Sequence, residues 1–453
     1  MADEVDLLSL DACALRGRLA SGAVSALDLA EACIARIEAR EPEVQAWAWF
    51  DPDFARHQAR ALDAHRQSGR AIGPLHGLPV ALKDIIDTAK IPTENGCTLD
   101  QGRIPIKDAA VVERLRAAGA VIMGKTVTTE LAFMQAGRTR NPHNTAHTPG
   151  GSSSGSAAAV ADGMVPLAVG TQTGGSVIRP ASYCGVTGFK PSFGAIPRTG
   201  VLMQSPTLDT VGVFGRTSAD AALLSQVLMG HDAGDTATRV GPVPDMHGIA
   251  TSKPPVKPVF ALVKPPGWDD ADPQVHAAFA ELADALGEQV FEAPLPNAFD
   301  EAAEIRERIN FAEMARYYYR YSKQMDTLGP RTQEALTKGN AILARDYLAA
   351  LDWPDVLYAG LAEILERCDA IICPAATGPA PEGLDFTGSA IFNGVWTLTG
   401  VPAVTIPALT AANGLPMGVQ MVGARGNDAR LMRSAHWLET WLTGDAPGER
   451  TTT

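Results

Sequence analysis

The chain changes its hydrophobic period repeatedly along its length, and that alternation is the strongest constraint on its fold. The first 70 residues look helical. LLSLDACALRGRLASGAVSALDLAEACIARIEAREPEV places apolar residues three and four apart, and Ser25 is a natural N-cap before LDLAEACIARIEA. A short apolar run, Leu78 to Leu82, follows in PLHGLPVALKDIID. As a strand it turns Val80 and Leu82 to one face and Ala81 and Lys83 to the other. AAVVERLRAAGAVIMGKT reads as a helix, a stop at Gly119 and a buried strand AVIM. SAAAVADG reads as a short helix and MVPLAVGT as a strand. Helical patterns return from about 216 to 350, with a proline-rich break at 242–266 that reads as a surface excursion or a linker. CDAIICPA, VPAVTIPAL and PMGVQMVG read as strands, and LMRSAHWLETWL as a closing amphipathic helix. Helices and strands alternating over the whole chain predict an α/β protein layered around a mixed sheet.

Composition narrows the function. At 453 residues, 46% hydrophobic and 20% charged, the chain can bury a large core and is neither disordered nor fibrous. Its net charge of −13, without a basic run, repels phosphate backbones and anionic lipid, so neither a nucleic-acid nor a membrane partner is expected. The opening MADEVDLLSL lacks the positive start of a secretory leader, and no apolar stretch approaches the length of a membrane span. Cys13, Cys33, Cys97, Cys184, Cys368 and Cys373 form no CxxC pair, which suits reduced thiols and a cytoplasmic protein.

Three pattern matches fail on context. GAVIMGKT (119–126) fits the phosphate-loop spacing, but its intervening Ala120, Val121, Ile122 and Met123 read as the strand itself. Gly151-Ser152-Ser153-Ser154-Gly155 fits GxSxG, yet no apolar strand precedes it, and the last histidine, His436, sits in a helix pattern. His143 and His147 have metal-ligand spacing for a helix but lie between Pro142 and Pro149, so no metal is expected.

What remains is two glycine–serine loops and a lysine. Thr173-Gly174-Gly175-Ser176 follows a strand, and glycines there let backbone N–H groups converge on one point, as an oxyanion hole requires. A tight turn with a capping serine fits that spacing equally well. Ser176 as a nucleophile needs a base, and no histidine is offered. A neutral lysine serves if burial brings its pKa from about 10.4 toward 7, and Lys83 ends an apolar strand. The adjacent Asp84 would point to the other face.

The chain resembles the amidase signature family. The matches are GLPVALKD around Lys83, PGGSSSGSAAAVA around Ser152, GTQTGGSVIRPASYCGVTGFKPSFG around Ser176 and LDTVGVFGRT at 208–217, with the two serines 24 residues apart. The helical N-terminus and the late VPAVTIPAL…GLPMGVQMVG extend the likeness over nearly the full length. The resemblance implies one α/β/α domain over 1–453 around a twisted mixed sheet of about a dozen strands. Within it, 1–70 is the N-terminal helical segment and 71–215 the catalytic core. The variable, largely helical pocket region spans 216–350, and 351–453 supplies the last strands and helix.

Residue by residue, the resemblance makes Ser176 the acyl-enzyme nucleophile, Ser152 a bridging serine after a cis peptide, and Lys83 the base. The backbone amides of Thr173, Gly174, Gly175 and Ser176 form the oxyanion hole. Ser153 and Thr171 support the site, with neither metal nor organic cofactor implied. The implied activity is hydrolysis of carbonyl C–N bonds, other than peptide bonds, in small amides, aryl amides or carbamates. The alternative is a glutamine-hydrolysing subunit of a tRNA-dependent amidotransferase, against which stand the charge and two departures from the motif. Gln172 replaces the usual aspartate, and Arg179 lies three residues after the nucleophile rather than two. This SVIRPA form is similar to the malonamidase-like branch, where such an arginine meets a substrate carboxylate. Arg179 has a second reading, as an anchor of its own loop to a backbone carbonyl or a carboxylate. Homodimers occur in the family, and no feature here forces one. Of the aromatics in the segments expected to wall the pocket, Tyr317, Tyr318, Tyr319, Phe392 and Trp396, most read as core.

Overall fold

A computed structural model describes residues 6–444, so the outermost ends of the single domain expected over 1–453 lie outside the described residues. Among the described residues, eleven strands form one sheet. In chain order they are β1 (Trp47–Phe50), β2 (Pro79–Lys83), β3 (Val121–Thr126), β4 (Leu167–Gln172), β5 (Thr187–Lys190), β6 (Thr210–Gly215), β7 (Phe260–Leu262), β8 (Val290–Glu292), β9 (Ala370–Pro374), β10 (Ala403–Thr410) and β11 (Pro416–Val422). Across the sheet the order is β1-β3-β2-β4-β6-β5-β10-β11-β9-β7-β8. β2 runs parallel to β3 and β4, β7 runs parallel to β8 and β9, and the central strands pair antiparallel. The sheet is therefore mixed, as expected.

Both faces are covered. Phe260 and Leu262 of β7 and Ala370 and Ile372 of β9 join one core cluster. Their alternate residues, Ala261, Ile371 and Cys373, join the other with Ile309 and Trp396. Period-two alternation thus delivers apolar side chains to two helical layers at once, which is why these strands read as continuous apolar runs. Ser25 caps the helix Ala26–Val44 reciprocally with Asp28. The chain from Val121 to Thr126 is strand, which takes in the Lys125 and Thr126 that a phosphate loop would place at the start of a helix.

Two expectations are corrected. The N-terminal 70 residues include β1, whose backbone pairs antiparallel with β3. The proline-rich 242–266 stretch contains β7, a buried strand between β8 and β9. In both places a strand of only three or four residues is too short to show its own period.

Candidate active site

The site lies beyond the C-terminal ends of the parallel strands β2 and β4, where open α/β sheets leave a crevice. Lys83 is the last residue of β2 and is fully buried. Its Nζ lies 2.7 Å from Ser152 Oγ and donates to Thr171 Oγ1 at 2.8 Å. Burial, opposed only weakly by the charge of Asp209, brings the Lys83 ammonium down to about 7. Asp84 does not neutralise it. That carboxylate accepts from the Glu94 N–H and pairs with Lys125 at 3.5 Å, on the other side of the strand end. Lys125 and Lys190 are buried too, but Lys125 serves the Ile86 carbonyl and Thr93, and Lys190 the carbonyls of Pro191 and Val401. Of these three buried lysines, Lys83 is the one that meets a serine hydroxyl.

Ser152 is buried and follows a cis peptide from Gly151, as the resemblance implied. It enters the helix Ser154–Ala161, whose Gly155 packs directly on the Ala46 carbonyl and the Val127 amide. Ser153 Oγ donates to the Thr171 carbonyl at 3.2 Å and accepts from the Thr171 N–H at 3.3 Å, tying this loop to the end of β4. Arg179 is 4% exposed. Its Nη2 donates to the Gly151 carbonyl at 2.7 Å and to Thr387 Oγ1 at 3.2 Å. This geometry is that of the second reading given to Arg179, a loop anchor at a backbone carbonyl.

β4 ends at Gln172, and the chain turns through Thr173-Gly174-Gly175-Ser176 into the short helix Ile178–Cys184. Gln172 holds that turn shut: its Oε1 accepts from the N–H groups of Val177 and Ile178 at 2.8 and 3.0 Å, and its Nε2 donates to Thr397 at 3.1 Å. Gln172 thus supplies an uncharged acceptor to the start of the helix after the turn. Thr173 Oγ1 donates to Asp209 at 2.5 Å, and the other Asp209 oxygen accepts the N–H groups of Gln204 and Ser205. Burial raises the Asp209 carboxyl to about 6. Among the described residues no acceptor meets the N–H groups of Gly174, Gly175 and Ser176. Ser176 is half-buried.

Asp209 stands in the LDTVGVFGRT motif, but nothing in that motif's spacing announces that it braces Thr173. The aromatics are mostly core. Tyr318, Phe392 and Trp396 are buried, whereas Tyr317 and Tyr319 are 39% and 63% exposed. His143 and His147 stand apart in a loop, each bonded to a backbone carbonyl, Cys184 and Ala380 respectively.

Comparison with known proteins agrees with this arrangement. The Amidase family profile matches residues 28–432. A glutamyl-tRNA(Gln) amidotransferase subunit of Chloroflexus aurantiacus is 32% identical over 94% of this chain and 96% of its own. The peptide amidase of Stenotrophomonas maltophilia superposes with a TM-score of 0.83 at 30% identity, covering 98% of this chain and 99% of its own. A chain from a vestigial protein complex that bears on the origins of an s-triazine catabolic enzyme gives 0.89 at 27% identity, covering 96% and 99%. The buried lysine, the two serine loops and the sheet that carries them thus stand on a matched profile over most of the sequence, and the chain belongs to the Amidase family.

Proposed function

We propose that this protein hydrolyses the C–N bond of small amides, with carbamates as a chemically equivalent class, through an acyl-enzyme on Ser176. The observation that carries this is the Lys83–Ser152 contact of 2.7 Å in a fully buried setting that keeps the lysine near neutrality. A neutral Lys83 takes the Ser152 proton while Ser152 takes that of Ser176, whose oxygen attacks the substrate carbonyl. The free N–H groups of the Thr173–Ser176 turn receive the developing oxyanion. The proton returns through Ser152 to the departing amine, the C–N bond breaks, and the acyl group remains on Ser176. Water then attacks with its proton following the same path to Lys83, and the carboxylic acid leaves.

A second reading, release of ammonia from glutamine within a tRNA-dependent amidotransferase, is favoured by the names of curated relatives at 32–34% identity. The net charge of −13 without a basic tract disfavours it. The purified protein alone, offered short amides, an aryl carbamate and glutamine, separates the two. Turnover of glutamine alone supports the second reading, and turnover of simple amides the first. Ser176→Ala and Ser152→Ala should each lower kcat/KM by about three orders of magnitude or more with an unchanged circular dichroism spectrum. Full activity in Ser176→Ala overturns the proposal.

A further inference from the structure

The helix Ala302–Tyr317 lays one stripe of side chains on the catalytic side of the sheet. Asn310 accepts from Gln204 Nε2 at 2.9 Å, and Glu313 accepts from Thr207 Oγ1 at 2.5 Å and from Ser205 Oγ. Arg306 stands four residues before Asn310 and seven before Glu313, so it shares their face. That places its guanidinium against the Thr173–Ser176 turn. A Cβ built on Gly174 would stand 3.4 Å from Arg306 Nη1, and one built on Gly394 2.6 Å from Nε and 3.0 Å from Cδ. Glycine at 394 leaves the room in which the Arg306 side chain lies.

The guanidinium so seated has nothing to bind. Among the described residues no hydrogen-bond acceptor meets it, and the one carboxylate within 4 Å, Glu307 at 3.8 Å, is 54% exposed. The Arg306 side chain is itself only 17% exposed. Five N–H donors in a fixed fork, mostly covered yet still reached by water and without a protein hydrogen-bond acceptor, are open to a ligand of matching geometry. Arg179 is close enough to feel the same charge. Burial above all, with Arg306 adding to it, holds the Arg179 guanidinium down to about 10. Arg179 gives its Nη2 to Gly151 and Thr387 and leaves its buried Nε unpartnered, whereas no protein acceptor forms a hydrogen bond with any Arg306 nitrogen among the described residues.

We propose that Arg306 is the specificity-determining residue of this site and that its ligand is a carboxylate on the substrate, held fork to fork. The proposal rests on the reading that Ser176 carries the chemistry. Gly174 and Ser176 are two residues apart, at most about 7.6 Å between Cα atoms. A carboxylate on Arg306 therefore sits only a few bonds from a carbonyl at Ser176. The substrate class is a short amide that bears one carboxylate, in which the arginine fixes the carbonyl for attack.

Succinamate and succinamide, a matched charged and neutral pair, test this. Calorimetric binding to Ser176→Ala should favour succinamate at least tenfold, as one charge-assisted pair implies. Adding Arg306→Gln should erase that preference, and Arg306→Lys should keep part of it, since a point charge replaces the fork. In the protein with Ser176 intact, Arg306→Gln should lower the ratio of kcat/KM for succinamate over succinamide by about 10- to 100-fold, mostly through KM. Equal affinities in Ser176→Ala, a preference that survives Arg306→Gln, no binding of succinamate at tens of millimolar, or an equal loss for both ligands each overturns the proposal. Failure of the underlying hydrolase reading shows separately, as ammonia release that Ser176→Ala leaves intact.

Discussion

Replacing Lys83 by methionine should alter stability in a pH-dependent way that reports the lysine's ionisation without any substrate. Lys83 is fully buried, and that burial takes its ammonium from 10.5 to about 7, the charge of Asp209 offsetting a small part. Between those two pH values the unfolded chain holds a proton that the folded chain has released, so the stability of the unaltered protein rises with pH across this window. Keeping Lys83 neutral costs about 2 kcal/mol at pH 9 and about 4 kcal/mol at pH 7. Methionine has a similar length and no proton. The difference in unfolding free energy between Lys83→Met and the unaltered protein should therefore move by about 2 kcal/mol in favour of the variant from pH 9 to pH 7. Urea unfolding at the two pH values measures this, and the other titrating groups cancel in the difference. A pH-independent difference would refute a lysine pKa near 7 and, with it, a neutral Lys83 as base. In kinetics the same ionisation should raise kcat/KM of the unaltered enzyme about tenfold between pH 6 and pH 8, levelling by pH 9.

Thr171→Val removes an acceptor of the Lys83 ammonium. The charged form loses support, so the apparent pKa of the pH–rate profile should fall, and the rise of kcat/KM between pH 6 and pH 8 should shrink. Arg179→Met takes the donor from the Gly151 carbonyl beside Ser152. It should cost about 1–3 kcal/mol in thermal unfolding and lower activity alike on charged and neutral amides, whereas a selective loss on charged substrates would restore Arg179 as the carboxylate reader. Gly155→Ala forces a methyl onto the Ala46 carbonyl and the Val127 amide. Both neighbours are backbone and cannot swing aside, so a loss of about 1–3 kcal/mol is expected in denaturant unfolding, and an unchanged midpoint would contradict the packing described.

The site was legible where its residues are neighbours in sequence. Strand β2 announced itself by a short apolar run with Lys83 at its end, and the serine loops by glycine clusters that only closely packed turns require. Arg179 could be named but not assigned, because the same guanidinium suits a substrate carboxylate or a backbone carbonyl. Its partner, Gly151, lies 28 residues away in the sequence and is brought alongside by packing. Asp209 was visible within a motif yet had no role until the fold set it against Thr173. Arg306 carried no signal at all. It is one of several charged residues in the arginine- and glutamate-rich run EAAEIRERINFAE, and helical period alone cannot say which of them faces the chemistry.

By itself, then, the sequence determined the α/β class, the buried lysine and the two glycine–serine loops, of which Ser152 meets Lys83, and the lack of a basic run for phosphate. These follow from local periodicity, turn chemistry and composition, each set by residues a few positions apart. The tertiary structure decided the strand order, the short strands β1 and β7, the separation of Asp84 from Lys83, and the seating of Arg306 beside the Thr173–Ser176 turn. Those outcomes depend on which surfaces remain open once distant segments have packed, and a linear pattern of residues does not encode that directly.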